Sequence, residues 1–241
     1  MIPQIIHYCW FGKNEKPDNI KSYIKEWHQI LPNYQFIEWN EDNFPIDYCT
    51  YTKEAYEMKK YAFVSDVARL YAINKYGGIY LDTDIEVLKD FSAFLNCSAI
   101  FSFESKDLLM TGFFAAEHGN KIIADLLEEY KNRKFKLENG KLNLVANTVY
   151  LTSYLHNKKN LEKNGLPQRL GEIDVYNFKT FGGFNADDSM FEISTETYLV
   201  HHCFASWGTR TFRVQFALKK HIAHLWGGRL YKTLRRILRK G

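Results

Sequence analysis

The run Tyr76-Gly77-Gly78-Ile79-Tyr80-Leu81-Asp82-Thr83-Asp84 decides the reading of this chain. Gly77-Gly78 is a helix stop, because glycine accepts the left-handed backbone that ends a helix. Ile79-Tyr80-Leu81 is then a short apolar strand, and Asp82-Thr83-Asp84 falls at its carboxyl end. A regular strand puts residues two apart on one face, so both carboxylates point the same way, and a bend would let them converge on one cation. Hard oxygen ligands suit Mg²⁺ or Mn²⁺. Alone, a D-x-D is also what a solvated turn looks like, so its weight comes from its surroundings.

Upstream, Gln4 to Trp10 reads as a first buried strand closed by Gly12-Lys13-Asn14. Pro17 suits the first turn of a helix, in which Ile20, Ile24, Trp27 and Leu31 recur at helical spacing. Tyr34 to Trp39 is a second strand. A loop over 40–50 leads to a helix or helix pair ending near Tyr76, with Ser65 as a candidate N-cap and Asp66 in the first turn. Strand, helix, strand, helix, strand is the order of parallel strands joined by helical crossovers, with ligands bound beyond the strand carboxyl ends. Downstream, 99–103, 112–116, 172–178 and 198–203 read as strands, and 121–132 and 142–156 as helices. The expected fold class is α/β, with a mostly parallel central sheet flanked by helices.

The 241 residues fit one domain, and 46% hydrophobic content supports a full core. Charge is uneven. Residues 219–241 carry eight Lys or Arg and no acid, which leaves 24 basic against 28 acidic side chains in the remainder. From Leu218, apolar residues recur at Ile222, Leu225, Trp226, Leu230, Leu234, Ile237 and Leu238 with basic residues between them. That pattern is a basic amphipathic helix, suited either to packing on the body or to peripheral contact with an anionic membrane. The expected division is a domain over 1–217 and a tail over 218–241. The acidic body argues against nucleic acid as a partner. Cys9, Cys49, Cys97 and Cys203 form no C-x-x-C pair and read as free thiols. No signal-peptide pattern or bilayer-length apolar run is present, so the expected location is cytoplasmic, peripheral on the inner face of the membrane if the tail binds lipid.

Ser65-Asp66-Val67-Ala68-Arg69, the run Tyr76 to Asp84, and the opening Ile2-Pro3-Gln4-Ile5-Ile6-His7 with Trp10-Phe11-Gly12 together resemble glycosyltransferase family 32. This family includes bacterial capsule and polysaccharide enzymes and fungal mannosyltransferases. The resemblance is tight over about residues 1–90 and returns at His201-His202 and Ser206-Trp207. It implies a GT-A-type fold, a nucleotide-sugar donor, a divalent metal, a saccharide or lipid-linked saccharide acceptor, and retention of anomeric configuration. It also implies roles. Trp10 stacks on the nucleobase, Asp66 holds donor-sugar hydroxyls, and Arg69 contacts the donor sugar or diphosphate. Asp82 touches the ribose or metal, Asp84 ligates the metal, and His201 completes that site. Ser206 and Trp207 belong to a loop over the diphosphate. Asp66, Arg69 and Asp84 form the expected catalytic set.

Competing readings come from the residues themselves. Asp66 and Arg69, three apart on a helix, can be a plain ion pair. His201 and His202 face opposite ways in a strand, so at most one reaches a metal, and His201 is the one assigned. Asp187 and Asp188 follow Gly182-Gly183 and are either acceptor-binding or solvated, and His221 and His224 read as surface residues. Where many family members have Gly-Pro, this chain has Ala146-Asn147-Thr148. Two other functions share parts of the pattern. One is a metal-dependent nucleotidyltransferase or sugar-nucleotide hydrolase. The other is a non-enzymatic, membrane-associated carbohydrate-binding protein.

Overall fold

The structure is a computed structural model that describes residues 1–187 and 189–204, together with Thr211, Val214 and Leu218. Asp188, Ser206, Trp207, His221, His224 and, apart from Leu218, the expected tail over 218–241 lie outside the described residues.

The chain opens with β1 (Ile5–Cys9), α1 (Asp18–Ile30), β2 (Gln35–Trp39), α2 (Thr50–Glu57), α3 (Tyr61–Tyr76) and β3 (Gly78–Leu81). It continues with β4 (Ile85–Val87), β5 (Ala99–Ser102), β6 (Phe113–Ala116), α4 (Lys121–Lys131) and α5 (Asn147–Lys159). The last elements are β7 (Gln168–Leu170), β8 (Ile173–Tyr176), β9 (Phe181–Gly182), β10 (Phe184–Asn185), β11 (Met190–Phe191) and β12 (Leu199–His201). The central sheet has the order β2-β1-β3-β6-β5-β8-β7. Five of its seven strands run one way, and β6 and β7 run against them. The structure is thus α/β with a mostly parallel sheet.

Strand alternation divides the core. Tyr80 and Cys9 pack with α2, α3, α4 and α5 on one face, while Ile79, Leu81, Ile6 and Tyr8 pack on the other with Trp27 of α1. That second face also holds Leu199 of β12 and Phe181 of β9, which with β4 make a separate three-stranded sheet. α1 is fixed there by the buried Trp27 indole N–H, which donates to the Ile85 carbonyl at 2.9 Å.

The glycine pair is required by contact as well as conformation. Gly77 has φ 65° and Gly78 φ 109°, and a Cβ on Gly78 would stand 2.5 Å from the Ile5 carbonyl oxygen. Fully buried His7 closes the junction. The Trp39 indole N–H donates to His7 Nδ1 at 3.0 Å, so Nε2 carries the ring proton and donates to the Gly77 carbonyl at 2.9 Å. Burial lowers the His7 pKa to about 4, against a smaller upward pull from the Gly77 bond.

Two local expectations are corrected. Ser65 is not an N-cap. α3 begins four residues earlier, because the apolar residues Phe63 and Val64 are already buried in its first turn, and the Ser65 hydroxyl bonds back to the Tyr61 carbonyl at 3.1 Å. The helix expected from Leu142 starts at Asn147, because the preceding residues pair with 135–137. Lys136 bridges to Leu142, and the Asn143 N–H donates to the Phe135 carbonyl at 2.7 Å.

Candidate donor and metal site

The site forms where β3 ends. The Asp82 N–H donates to the Gly112 carbonyl at 2.7 Å, and the Ile85 N–H donates to the Asp82 carbonyl at 3.0 Å. Asp82-Thr83-Asp84 is therefore a tight turn by which the chain leaves the central sheet for β4. β12 runs antiparallel to β4 with His201 opposite Ile85, which brings His201 over the turn. Its Nε2 lies 3.3 Å from Asp84 Oδ1 and 4.0 Å from Asp82 Oδ2. One ligand atom from each of Asp82, Asp84 and His201 lies within 4.8 Å of the others. His202 turns away, with its Nε2 2.9 Å from Glu86 Oε2 and its ring stacked on Tyr23 at 5.1 Å.

This donor set fits a divalent cation. Two carboxylate oxygens and one imidazole nitrogen suit Mn²⁺ and are compatible with Mg²⁺. Burial would lower the His201 pKa, but the neighbouring Cys203 and Asp84 hold it well above the ordinary histidine value. Burial would likewise raise the Asp84 carboxyl, and the His201 charge together with the Phe204 N–H, 2.7 Å from Oδ2, holds it low. The Asp84 carboxylate thus favours a positive charge beside it, and a bound cation would take the place of the His201 proton.

Asp66 and Arg69 lie beside it. Arg69 is 6% exposed. Its Nη1 is 3.3 Å from Asp66 Oδ1 and donates to the Thr111 carbonyl at 3.0 Å, while Nη2 is 3.2 Å from Asp82 Oδ1. Arg69 therefore joins the helix carboxylate to the turn carboxylate. Burial pushes the Asp66 carboxyl up to about 6; Arg69 pulls it back and Asp82 adds to the rise.

Trp10 follows β1 and stands apart from this cluster in the contacts it makes. Its indole N–H donates to the Asn14 carbonyl at 2.7 Å, and Lys16 Nζ lies 5.6 Å from its ring. Trp10 lines a cleft of about 310 Å³ with Lys16, Glu38 and Asn40, beyond the carboxyl ends of β1 and β2.

Residues 17–102 match the family model of the glycosyltransferase sugar-binding region containing DXD motif. The matched stretch, which contains Asp82-Thr83-Asp84, is similar to a DXD-containing glycosyltransferase region. Over 217 residues the chain is 24% identical to an uncharacterized glycosyltransferase of Acanthamoeba polyphaga mimivirus, covering 86% of this chain and 84% of that protein. It is 30% identical over 92 residues to inositol phosphoceramide mannosyltransferase 3 of Schizosaccharomyces pombe, covering 35% of this chain and only 24% of that one. Its fold is similar to that of the PaToxG glycosyltransferase, with a TM-score of 0.52, 18% identity and coverage of 65% of this chain and 70% of that one.

Several side chains of the candidate site escaped the sequence reading. Tyr80 donates its hydroxyl to Asp82 Oδ1 at 2.8 Å, and Arg69 lies over its ring at 4.7 Å. Asn147 Nδ2 donates to the Asp66 carbonyl at 3.3 Å, and the Thr148 and Thr111 hydroxyls meet at 3.4 Å. The departure Ala146-Asn147-Thr148 thus abuts the site. Half-buried Glu104 follows β5. Burial pushes its carboxyl up to about 7, with His201 pulling it down and Asp82 adding to the rise. Gly112 is flanked closely, since a Cβ there would stand 2.8 Å from His201 Cε1 and 2.9 Å from Asp82 Oδ2. Period-2 alternation could have flagged Tyr80, but nothing local marks Glu104, Thr111 or Gly112. Asp187 Oδ2 accepts the Lys106 N–H at 2.9 Å, tying down the loop that carries Glu104. All four cysteines are unpaired.

Proposed function

We propose that this protein is a metal-dependent, retaining hexosyltransferase. It moves a sugar from a nucleotide-sugar, a UDP-sugar in the first instance, to a saccharide or lipid-linked saccharide of a surface polysaccharide. The observation that carries this reading is the convergence of Asp82, Asp84 and His201 against the Asp66–Arg69 pair, at the carboxyl end of β3.

Asp82, Asp84 and His201 would hold Mn²⁺ or Mg²⁺, which as a Lewis acid stabilises charge building on a departing diphosphate. Arg69 is fixed on three partners before any ligand arrives, so its charge costs little reorganisation when it faces the diphosphate or donor sugar. Asp66 would accept donor-sugar hydroxyls, with Asn147 holding its backbone through the bond to the Asp66 carbonyl. Trp10 offers an aromatic face for the nucleobase in a cleft of suitable volume. The name of the yeast relative, a mannosyltransferase acting on inositol phosphoceramide, supports an acceptor with a lipid anchor. No helix among the described residues is long and apolar enough to cross a membrane. The cytoplasmic, membrane-peripheral location is part of this proposal.

The test is release of nucleoside diphosphate from a panel of UDP- and GDP-sugars with Mn²⁺, with EDTA and Asp84→Ala as controls. Release from one donor that both controls abolish supports the reading and names the donor. Release that survives EDTA removes the metal role. A nucleotidyl product in place of a transferred sugar would replace a glycosyltransferase by a nucleotidyltransferase.

A further inference from the structure

A short hairpin at the edge of the site has a surface that the donor chemistry does not use. It spans 135–143, closed by the Leu137 N–H donating to the Lys141 carbonyl at 2.8 Å and by Lys136 bridging to Leu142. It is firmly anchored. Phe135 is fully buried, Leu142 packs against the core, and Glu54 Oε2 accepts the N–H groups of both Phe135 and Lys136, at 2.8 and 2.9 Å. Yet four apolar side chains on the hairpin and the segment after it stay in solvent. Leu137 is 38% exposed, Leu144 56%, Val145 42% and Val149 41%. One such residue is ordinary, but four within thirteen positions on a pinned segment mark a surface that meets something.

Its charge indicates what. Lys134, Lys136 and Lys141 are exposed, and Glu138, 3.9 Å from Lys134, is the one acid between 134 and 149. Lys136 and Lys141 form no ion pair among the described residues. The rest of the chain before the tail is net acidic. A basic rim around exposed aliphatic residues complements an anionic lipid surface: the apolar side chains enter the headgroup boundary while the ammonium groups remain among the phosphates. The position matters as well. Two residues after Val145, Asn147 bonds the Asp66 carbonyl, and Thr148 meets Thr111, whose carbonyl holds Arg69.

We propose that residues 134–149 are a membrane-contacting lip that sets the mouth of the site against an anionic bilayer. Its use in presenting a lipid-linked acceptor rests on the function proposed above, but the membrane contact itself does not.

The experiment is co-sedimentation of the full chain with phosphatidylcholine vesicles, with and without phosphatidylglycerol. The wild type is compared with a combined Leu137→Glu, Leu144→Glu, Val145→Glu variant and with Lys136→Glu, Lys141→Glu. Thermal melting followed by circular dichroism checks that each variant is folded. Binding that requires phosphatidylglycerol and weakens at least about tenfold in each folded variant supports the lip. Three results would overturn it. The wild type could ignore anionic vesicles. The variants could bind as tightly as the wild type, which places the contact elsewhere in the chain. The apolar variant could instead convert a dimer to a monomer in vesicle-free light scattering, which makes the face a self-association surface. Loss of the transferase reading would show as absent donor turnover with vesicle binding unchanged, so the two failures are separable.

Discussion

His7 couples the first three strands to the glycine junction, and its burial makes a quantitative prediction about acid. The folded chain holds the ring neutral with a pKa of about 4, whereas the unfolded chain has the ordinary value near 6.5. A depressed histidine pKa leaves stability untouched above the unfolded value. As pH falls from 6.5 towards 4, the unfolded chain takes up a proton that the folded chain refuses, so stability is lost across that window. The full difference is about 3.4 kcal/mol, of which about 2.4 kcal/mol appears between pH 7 and pH 4.5. Asp66 and Glu104 act in the opposite sense. Their folded values, about 6 and about 7, lie above those of free carboxyls, so they add stability as pH falls. A comparison with His7→Gln cancels that background, because glutamine has one acceptor and one donor group for Trp39 and Gly77 but does not titrate. The assay is urea unfolding followed by tryptophan fluorescence at both pH values, in EDTA so that metal binding does not enter. Relative to the variant, the wild type should lose about 2.4 kcal/mol more on going to pH 4.5. Equal losses in the two proteins would refute the neutral, doubly bonded histidine.

Other expectations follow from the site. Gly112→Ala should weaken Mn²⁺ binding about tenfold or more, read by calorimetry, because its methyl group would displace His201 and Asp82. Arg69→Met should cost about 3 kcal/mol of unfolding free energy in urea, because it leaves the half-buried Asp66 and Asp82 without their buried cation; a loss confined to activity would mean that water screens the pair. Trp10→Ala should raise the donor KM by about 1–3 kcal/mol in binding terms with kcat nearly kept, and an unchanged KM would remove the nucleobase from that cleft.

Much of the first ninety residues was legible, because each signal there is local. Apolar runs between turn residues mark β1, β2 and β3, and the left-handed backbone open to Gly77-Gly78 marks the end of α3. The order of these elements fixes their parallel pairing. The placement of Asp82 and Asp84 at a strand end is equally local, and the composite motif that resembles family 32 lies within the same segment. Where pairing partners are distant the reading failed. β4 was missed because three residues after a turn carry too little periodicity, and α5 was begun early because Leu142, Leu144 and Val145 look helical until residues 135–137 take the first of them into a hairpin.

Histidine 201 marks the boundary between the two kinds of information. Alternation along a strand dictates that His201 and His202 face opposite ways, so the sequence determines that one of them at most can join the carboxylates. Which one depends on the register of β12 against β4, with His201 opposite Ile85, and on the turn that sends β4 out of the central sheet. Register is set by burial of Leu199 and Val200 against distant neighbours. The same holds for Arg69. Its partner Asp66 is three residues away on one helix, but its bonds to Asp82 and to the Thr111 carbonyl exist only once β3 and β6 are paired. The sequence supplied the ionisable groups, and long-range strand pairing decided which of them share one half-buried pocket.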